Sequence, residues 1–115
     1  MPFLETMKKQ GINVCLGTDS LASNDSLSML DEMQELAQVF PLLTAQELLE
    51  MTTVNAAKAL NQPGKLGRIT PGAWADLIAA PLEGADGDPY EAIVYANKTV
   101  SFSMVGGEVL FDEAK

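Results

Sequence analysis

The 115-residue chain contains no histidine and a single cysteine, Cys15. Without histidine there is no Ser-His-Asp or Cys-His catalysis and no histidine-containing zinc site, and the commonest general base near neutral pH is missing. One cysteine builds neither a thiolate metal cage nor an internal disulfide, which suits a reducing compartment. The H-x-E and P-C-x-x-C pattern of one class of zinc deaminases is absent too. Positive charge is scarce: 7 Lys and Arg stand against 16 Asp and Glu, a net charge of −9. That balance argues against a nucleic-acid or anionic-membrane partner. Apolar runs such as Leu77 to Pro81 are far too short to span a bilayer, and Met1-Pro2-Phe3-Leu4-Glu5 has neither the basic start nor the apolar stretch of a signal peptide. A cytoplasmic location is therefore expected. What remains is one domain's length with 47% hydrophobic residues, enough for one core.

The pattern along the chain divides into a helical first half and a strand-and-turn second half, with Gly64 to Gly72 between them. Phe3 to Gln10 reads as a helix ending at Gly11. Ile12-Asn13-Val14-Cys15-Leu16 is nearly apolar on both alternating faces, the pattern of a strand buried in a parallel sheet. It runs into the polar cluster Gly17-Thr18-Asp19-Ser20. Leu27, Leu30, Met33, Leu36, Ala37 and Phe40 then recur at helical spacing, with Ser26 or Ser28 as cap and Asp31 and Glu32 near the positive end. Pro41 closes that helix. Thr44-Ala45-Gln46-Glu47 is a capping box opening a second, over about 44–60, which Thr52-Thr53 can split in two. Beyond Asn61, glycine and proline punctuation ends helical structure. Strands are expected at Ala75 to Ala80, Lys98 to Val105 and Glu108 to Phe111, with an acidic loop at Glu83 to Pro89.

Asp19 is the leading candidate for chemistry. A carboxylate just past the carboxyl end of a buried parallel strand is where α/β barrels place metal ligands and general bases, although an Asp there also caps loops and helices. Ser20, Ser23 and Asn24 are candidate substrate contacts, and equally residues that satisfy the backbone of a strand-to-helix loop. Cys15 reads as a core thiol, and Met29, Met33 and Met51 as packing on helix faces. Asp31/Glu32 and Asp112/Glu113 read as solvated pairs. Gly64-Lys65-Leu66-Gly67 and Gly106-Gly107 lack the length and Lys-Ser/Thr ending of a phosphate loop and read as turns, and Trp74 as a packing aromatic.

Leu16-Gly17-Thr18-Asp19-Ser20-Leu21-Ala22-Ser23-Asn24, followed by Leu27 and Asp31-Glu32-Met33, resembles the segment after the eighth barrel strand in the amidohydrolase superfamily, nearest its chlorohydrolase and aminohydrolase branch. Thr52-Thr53-Val54-Asn55-Ala56-Ala57-Lys58-Ala59-Leu60, then Gly67-Arg68-Ile69 and Gly72-Ala73-Trp74-Ala75-Asp76-Leu77, resembles that family's last helix and its return into a small β domain. Val105-Gly106-Gly107-Glu108-Val109 resembles its closing hairpin. The resemblance implies an α/β fold: the C-terminal fragment of a TIM barrel, with residues 1–62 holding the last barrel strand and following helices, and 63–115 part of a small β-sandwich.

It also implies a metal-dependent hydrolase of C–N or C–Cl bonds in which Asp19 binds zinc or iron and accepts a proton from the attacking water. The family's other ligands are histidines on earlier strands, and a complete barrel needs roughly 250 residues. A chain without histidine is therefore expected to hold no metal and to be inactive alone. Two other readings stand beside it: a non-catalytic interaction or oligomerisation module, and one chain of a split hydrolase whose partner is the missing barrel portion. Only the complete enzyme would take a small-molecule substrate. Self-association or partial unfolding is expected because the 12–16 strand lacks flanking strands. The terminal hairpin should pair Val105 with Glu108, Met104 with Val109 and Phe102 with Phe111, with Val100, Phe102, Met104, Val109 and Phe111 on one buried face.

Overall fold

Among the described residues, 2–18, 28–81, 87–95 and 100–114, the computed structural model shows five helices and three strands in the order α1 (Pro2–Lys9), α2 (Met29–Val39), α3 (Ala45–Thr52), α4 (Val54–Ala59), β1 (Leu77–Ala79), α5 (Pro89–Val94), β2 (Phe102–Val105) and β3 (Glu108–Asp112). Helix α1 turns its buried Leu4 inward and ends where Gly11 takes φ +71°. Ser28 caps α2, its hydroxyl accepting from the Asp31 amide. Thr44 and Glu47 form the full capping box of α3. The expected split after Thr52 is present: the Thr52 and Thr53 hydroxyls both donate to the Leu49 carbonyl at 2.9 and 2.8 Å. Side-chain competition of this kind for a helical carbonyl loosens the helix. Thr53 leaves helical geometry at φ −122°, ψ −89° and α4 restarts beyond it.

Met33 of α2, Leu48 of α3 and Val94 of α5 make the core, at 2, 0 and 0% exposure. Helix α5 falls at the end of the segment read as an acidic loop and in residues assigned to no element. Asp88 caps it, accepting from the Tyr90 amide at 2.9 Å, and Pro89 opens its first turn.

The strands form one antiparallel sheet in the order β1-β2-β3. β1 is shorter than expected and β2 begins at Phe102, with 96–99 outside the described residues; β3 runs one residue longer, to Asp112. Val105 faces Glu108 and Met104 faces Val109 as expected. Phe102, however, pairs with Asp112 and Ser103 with Phe111, because the register shifts between Ser103 and Met104 and leaves Leu110 as an extra residue on β3. Such a bulge reverses which face later side chains take. The expected shared buried face fails with it: Val109 stands opposite Met104 but Phe111 opposite Ser103, and the two are 42% and 50% exposed because no described helix packs on the sheet.

The segment read as a buried strand, 12–16, joins no sheet among the described residues. Ile12 is 48% exposed and Cys15 is exposed rather than a core thiol. A strand needs flanking strands to bury both faces, and none lies beside it among the described residues.

Candidate functional site

The residues singled out for chemistry, Asp19, Ser20, Ser23 and Asn24, lie outside the described residues. What the structure describes is the support on either side. Burial alternates from Asn13 to Thr18, with Val14, Leu16 and Thr18 half-buried and Asn13, Cys15 and Gly17 exposed. A period of two is the mark of extended backbone. Three hydrogen bonds hold this segment against α3 and α4. The Leu16 amide donates to the Met51 carbonyl at 3.0 Å, the Asn55 side-chain amide donates to the Val14 carbonyl at 2.9 Å, and the Asn13 side-chain amide donates to the Asn55 carbonyl at 2.9 Å. Helix α2 then starts at the Ser28 cap. The described residues on either side of the candidates are thus an extended segment pinned by two asparagines and a capped helix N-terminus.

Asn13 and Asn55 are the positioning residues that reading the pattern passed over. An amide within an otherwise apolar five-residue run was the available signal, because a polar side chain set among apolar neighbours seeks a hydrogen-bond partner.

A second concave surface lies between α1 and α3, lined by Leu4, Lys8, Ile12 and Glu47 among others. Its charges are already paired: Lys8 bridges to Glu47. The Lys8 ammonium, aided by hydrogen bonds from the Thr44 backbone and hydroxyl, holds the Glu47 carboxyl below its usual value against the opposing effect of partial burial. A carboxylate so stabilised is a poor proton carrier near neutrality. Among the described residues no group of three or more His, Cys, Asp or Glu is placed to hold a metal, and the sequence has no histidine to add. None of the described helices is long and apolar enough to cross a membrane.

Among the described residues the chain is mixed α/β, with helices and one small three-stranded antiparallel sheet. The chain belongs to the amidohydrolase family, whose pattern matches residues 1–110. It is 36% identical to the 5-methylthioadenosine/S-adenosylhomocysteine deaminase of Acetivibrio thermocellus, over 95% of this chain and 28% of that protein. Its structure is similar to a zinc-bound adenosine deaminase from Xanthomonas campestris, with a TM-score of 0.80 and 25% identity over 92% of this chain and 27% of that one. It is similar also to a mutant atrazine chlorohydrolase of Arthrobacter aurescens complexed with zinc and atraton, with a TM-score of 0.77 and 31% identity over 89% and 26%. The chain thus spans roughly a quarter of the length of the relatives it matches.

Proposed function

We propose that the chain is the C-terminal portion of a metal-dependent amidohydrolase of the hydrolytic deaminase type, inactive alone. The carrying observation is the mismatch of coverage: 95% of this chain matches only 28% of a deaminase, and the matched quarter brings no histidine. In this reading residues 1–62 belong to the barrel, 63–115 to a smaller β-rich unit of sandwich type, and the extended 12–18 segment is the last barrel strand. Asp19 is the portion's one contribution to the divalent metal site of the complete enzyme. Ser20, Ser23 and Asn24 face its substrate, an adenosine-type nucleoside if the deaminase relatives are the guide. The similarity to the atrazine chlorohydrolase favours a second reading, with the same portion serving C–Cl hydrolysis.

Complementation tests this. The chain is co-expressed with the Acetivibrio thermocellus deaminase truncated of its matching C-terminal quarter, and ammonia release from 5-methylthioadenosine is measured. Neither piece alone should turn over; the pair should. Asp19→Asn in the pair should lower turnover by about 10² or more, because it removes charge and basicity, whereas a mere cap would tolerate Asn. A folded, zinc-loaded pair that releases no ammonia overturns the deaminase reading. Turnover by the isolated chain overturns its dependence on the missing portion.

A further inference from the structure

A continuous α-helix bonds each carbonyl to the amide four residues further on. At the joint between α3 and α4 this ladder is redirected. The Leu49 carbonyl, whose helical donor would be the Thr53 amide, accepts the Thr52 and Thr53 hydroxyls at 2.9 and 2.8 Å. The Thr53 amide turns instead to the Glu50 carbonyl at 3.2 Å. The Met51 carbonyl, whose helical donor would be the Asn55 amide, accepts from the Leu16 amide of the extended segment at 3.0 Å. Asn55, where the helix resumes, donates its side-chain amide to the Val14 carbonyl and accepts the Asn13 side chain on its own carbonyl, both at 2.9 Å. The three hydrogen bonds that hold the extended segment thus end on Met51 and Asn55, one on each side of the break.

We infer that Thr52 and Thr53 are positioning residues: their hydroxyls keep the helix broken, which leaves the Met51 carbonyl to Leu16 and so fixes the segment that leads to Asp19. Only Gly17 and Thr18 separate Leu16 from Asp19. The inference rests on the reading of Asp19 as part of the metal site of the complete enzyme, and adds what sets the height of the strand that carries it. The competition is local. Without the two hydroxyls the Leu49 carbonyl is open to the Thr53 amide, the helix can continue, and the Asn55 amide then competes with Leu16 for Met51. The chain beyond α4 is fitted to the broken form: Gly67 lies against the Thr53 carbonyl oxygen, where an added Cβ would come within 2.5 Å. The fold is also similar, over 92% and 89% of this chain, to those of the zinc-bound deaminase and chlorohydrolase, whose chains include the remaining three quarters. That similarity supports a hold that persists in the complete enzyme.

The test compares Thr52→Val/Thr53→Val, which removes both hydroxyls and keeps the branched shape, with Thr52→Ser/Thr53→Ser, which keeps the hydroxyls. In the full chain the valine pair should speed amide exchange at Leu16 by about tenfold or more while the helical circular-dichroism signal holds or rises. In the complex reconstituted with the truncated deaminase, it should lower zinc retention against a chelator. It should also lower kcat about tenfold with KM unchanged, since misplacing a reacting group costs rate rather than binding. The serine pair should match wild type in all of these. A role confined to folding would reduce the amount of complex and leave kcat per complex alone. Wild-type exchange at Leu16 in the folded valine variant overturns the inference. So does a complex whose zinc retention falls with Asp19→Asn but not with the valine pair. Zinc retention indifferent to Asp19→Asn overturns instead the reading of Asp19, and the inference with it. Should the double variant fail to fold, Thr53→Val alone carries the same test.

Discussion

Glu47 carries two tasks on one carboxylate. Oε1 accepts from the Thr44 amide at 3.1 Å, closing the capping box, while Oε2 meets Lys8 of α1. With its folded value below 4.5, Glu47 contributes stability that is fully present above the unfolded value and is lost as pH falls through the folded one. Glu47→Gln keeps a group able to accept from Thr44 but loses the ion pair. The stability gap between it and wild type should narrow as a series of thermal melts is taken to acid pH. A gap independent of pH would assign the difference to packing. Asn55→Ala should cost about 1–3 kcal/mol by leaving the half-buried Val14 carbonyl without its donor, read by urea unfolding. The capping box was legible in the sequence because its partners are three residues apart and the geometry is local. Cys15 was misread for the opposite reason: an apolar run announces that a face wants burial, not whether the chain supplies the neighbour that buries it.

The break between α3 and α4 is also a contact point. Gly67 sits at φ +81°, and a Cβ built there would lie 2.5 Å from the Thr53 carbonyl oxygen. Gly72 has a similar φ of +89° with nothing within 4 Å. Comparing Gly67→Ala with Gly72→Ala therefore separates backbone strain from collision. Both should destabilise, by about 1 kcal/mol or more for the positive φ alone, and Gly67→Ala should lose clearly more in denaturant titration. Equal losses would mean that the α3–α4 joint yields freely. The split at Thr52-Thr53 could be read from paired hydroxyls, and the first two rungs of the hairpin from Gly106-Gly107. The bulge at Leu110 could not, since nothing in the alternation of Val109, Leu110 and Phe111 marks which residue is extra. Helix α5 could have been read: Asp88-Pro89 is a capping residue followed by a proline at the first helical position. Its six residues simply offer too little periodicity to outweigh the glycines before it.

Across the whole molecule, much apolar surface is left in water: Ile69, Leu42 and Phe3 are 86, 84 and 69% exposed. Since the denaturant slope follows the area newly exposed on unfolding, the dilute chain should show a urea m-value below that of compact domains of equal length. A normal m-value would mean that the chain buries more in solution than the fold described above. Helices α1 to α4 and the three strands of the sheet were readable from caps, turns and periodicity, and the family from the resemblance of its quoted segments, whereas α5 and the unpaired state of 12–16 were missed. Asp19, Ser20, Ser23 and Asn24 lie outside the described residues, so their roles rest on the sequence reading alone. Val94 has a practical consequence for dissection. Pro63 to Gly72, rich in glycine and proline and mostly exposed, invites a protease. Yet a nick there should release nothing, since α5 lies beyond it and fills the core against Met33 and Leu48. The two pieces should co-elute until denatured, and discarding the second would uncover side chains worth about 1.5–3 kcal/mol each.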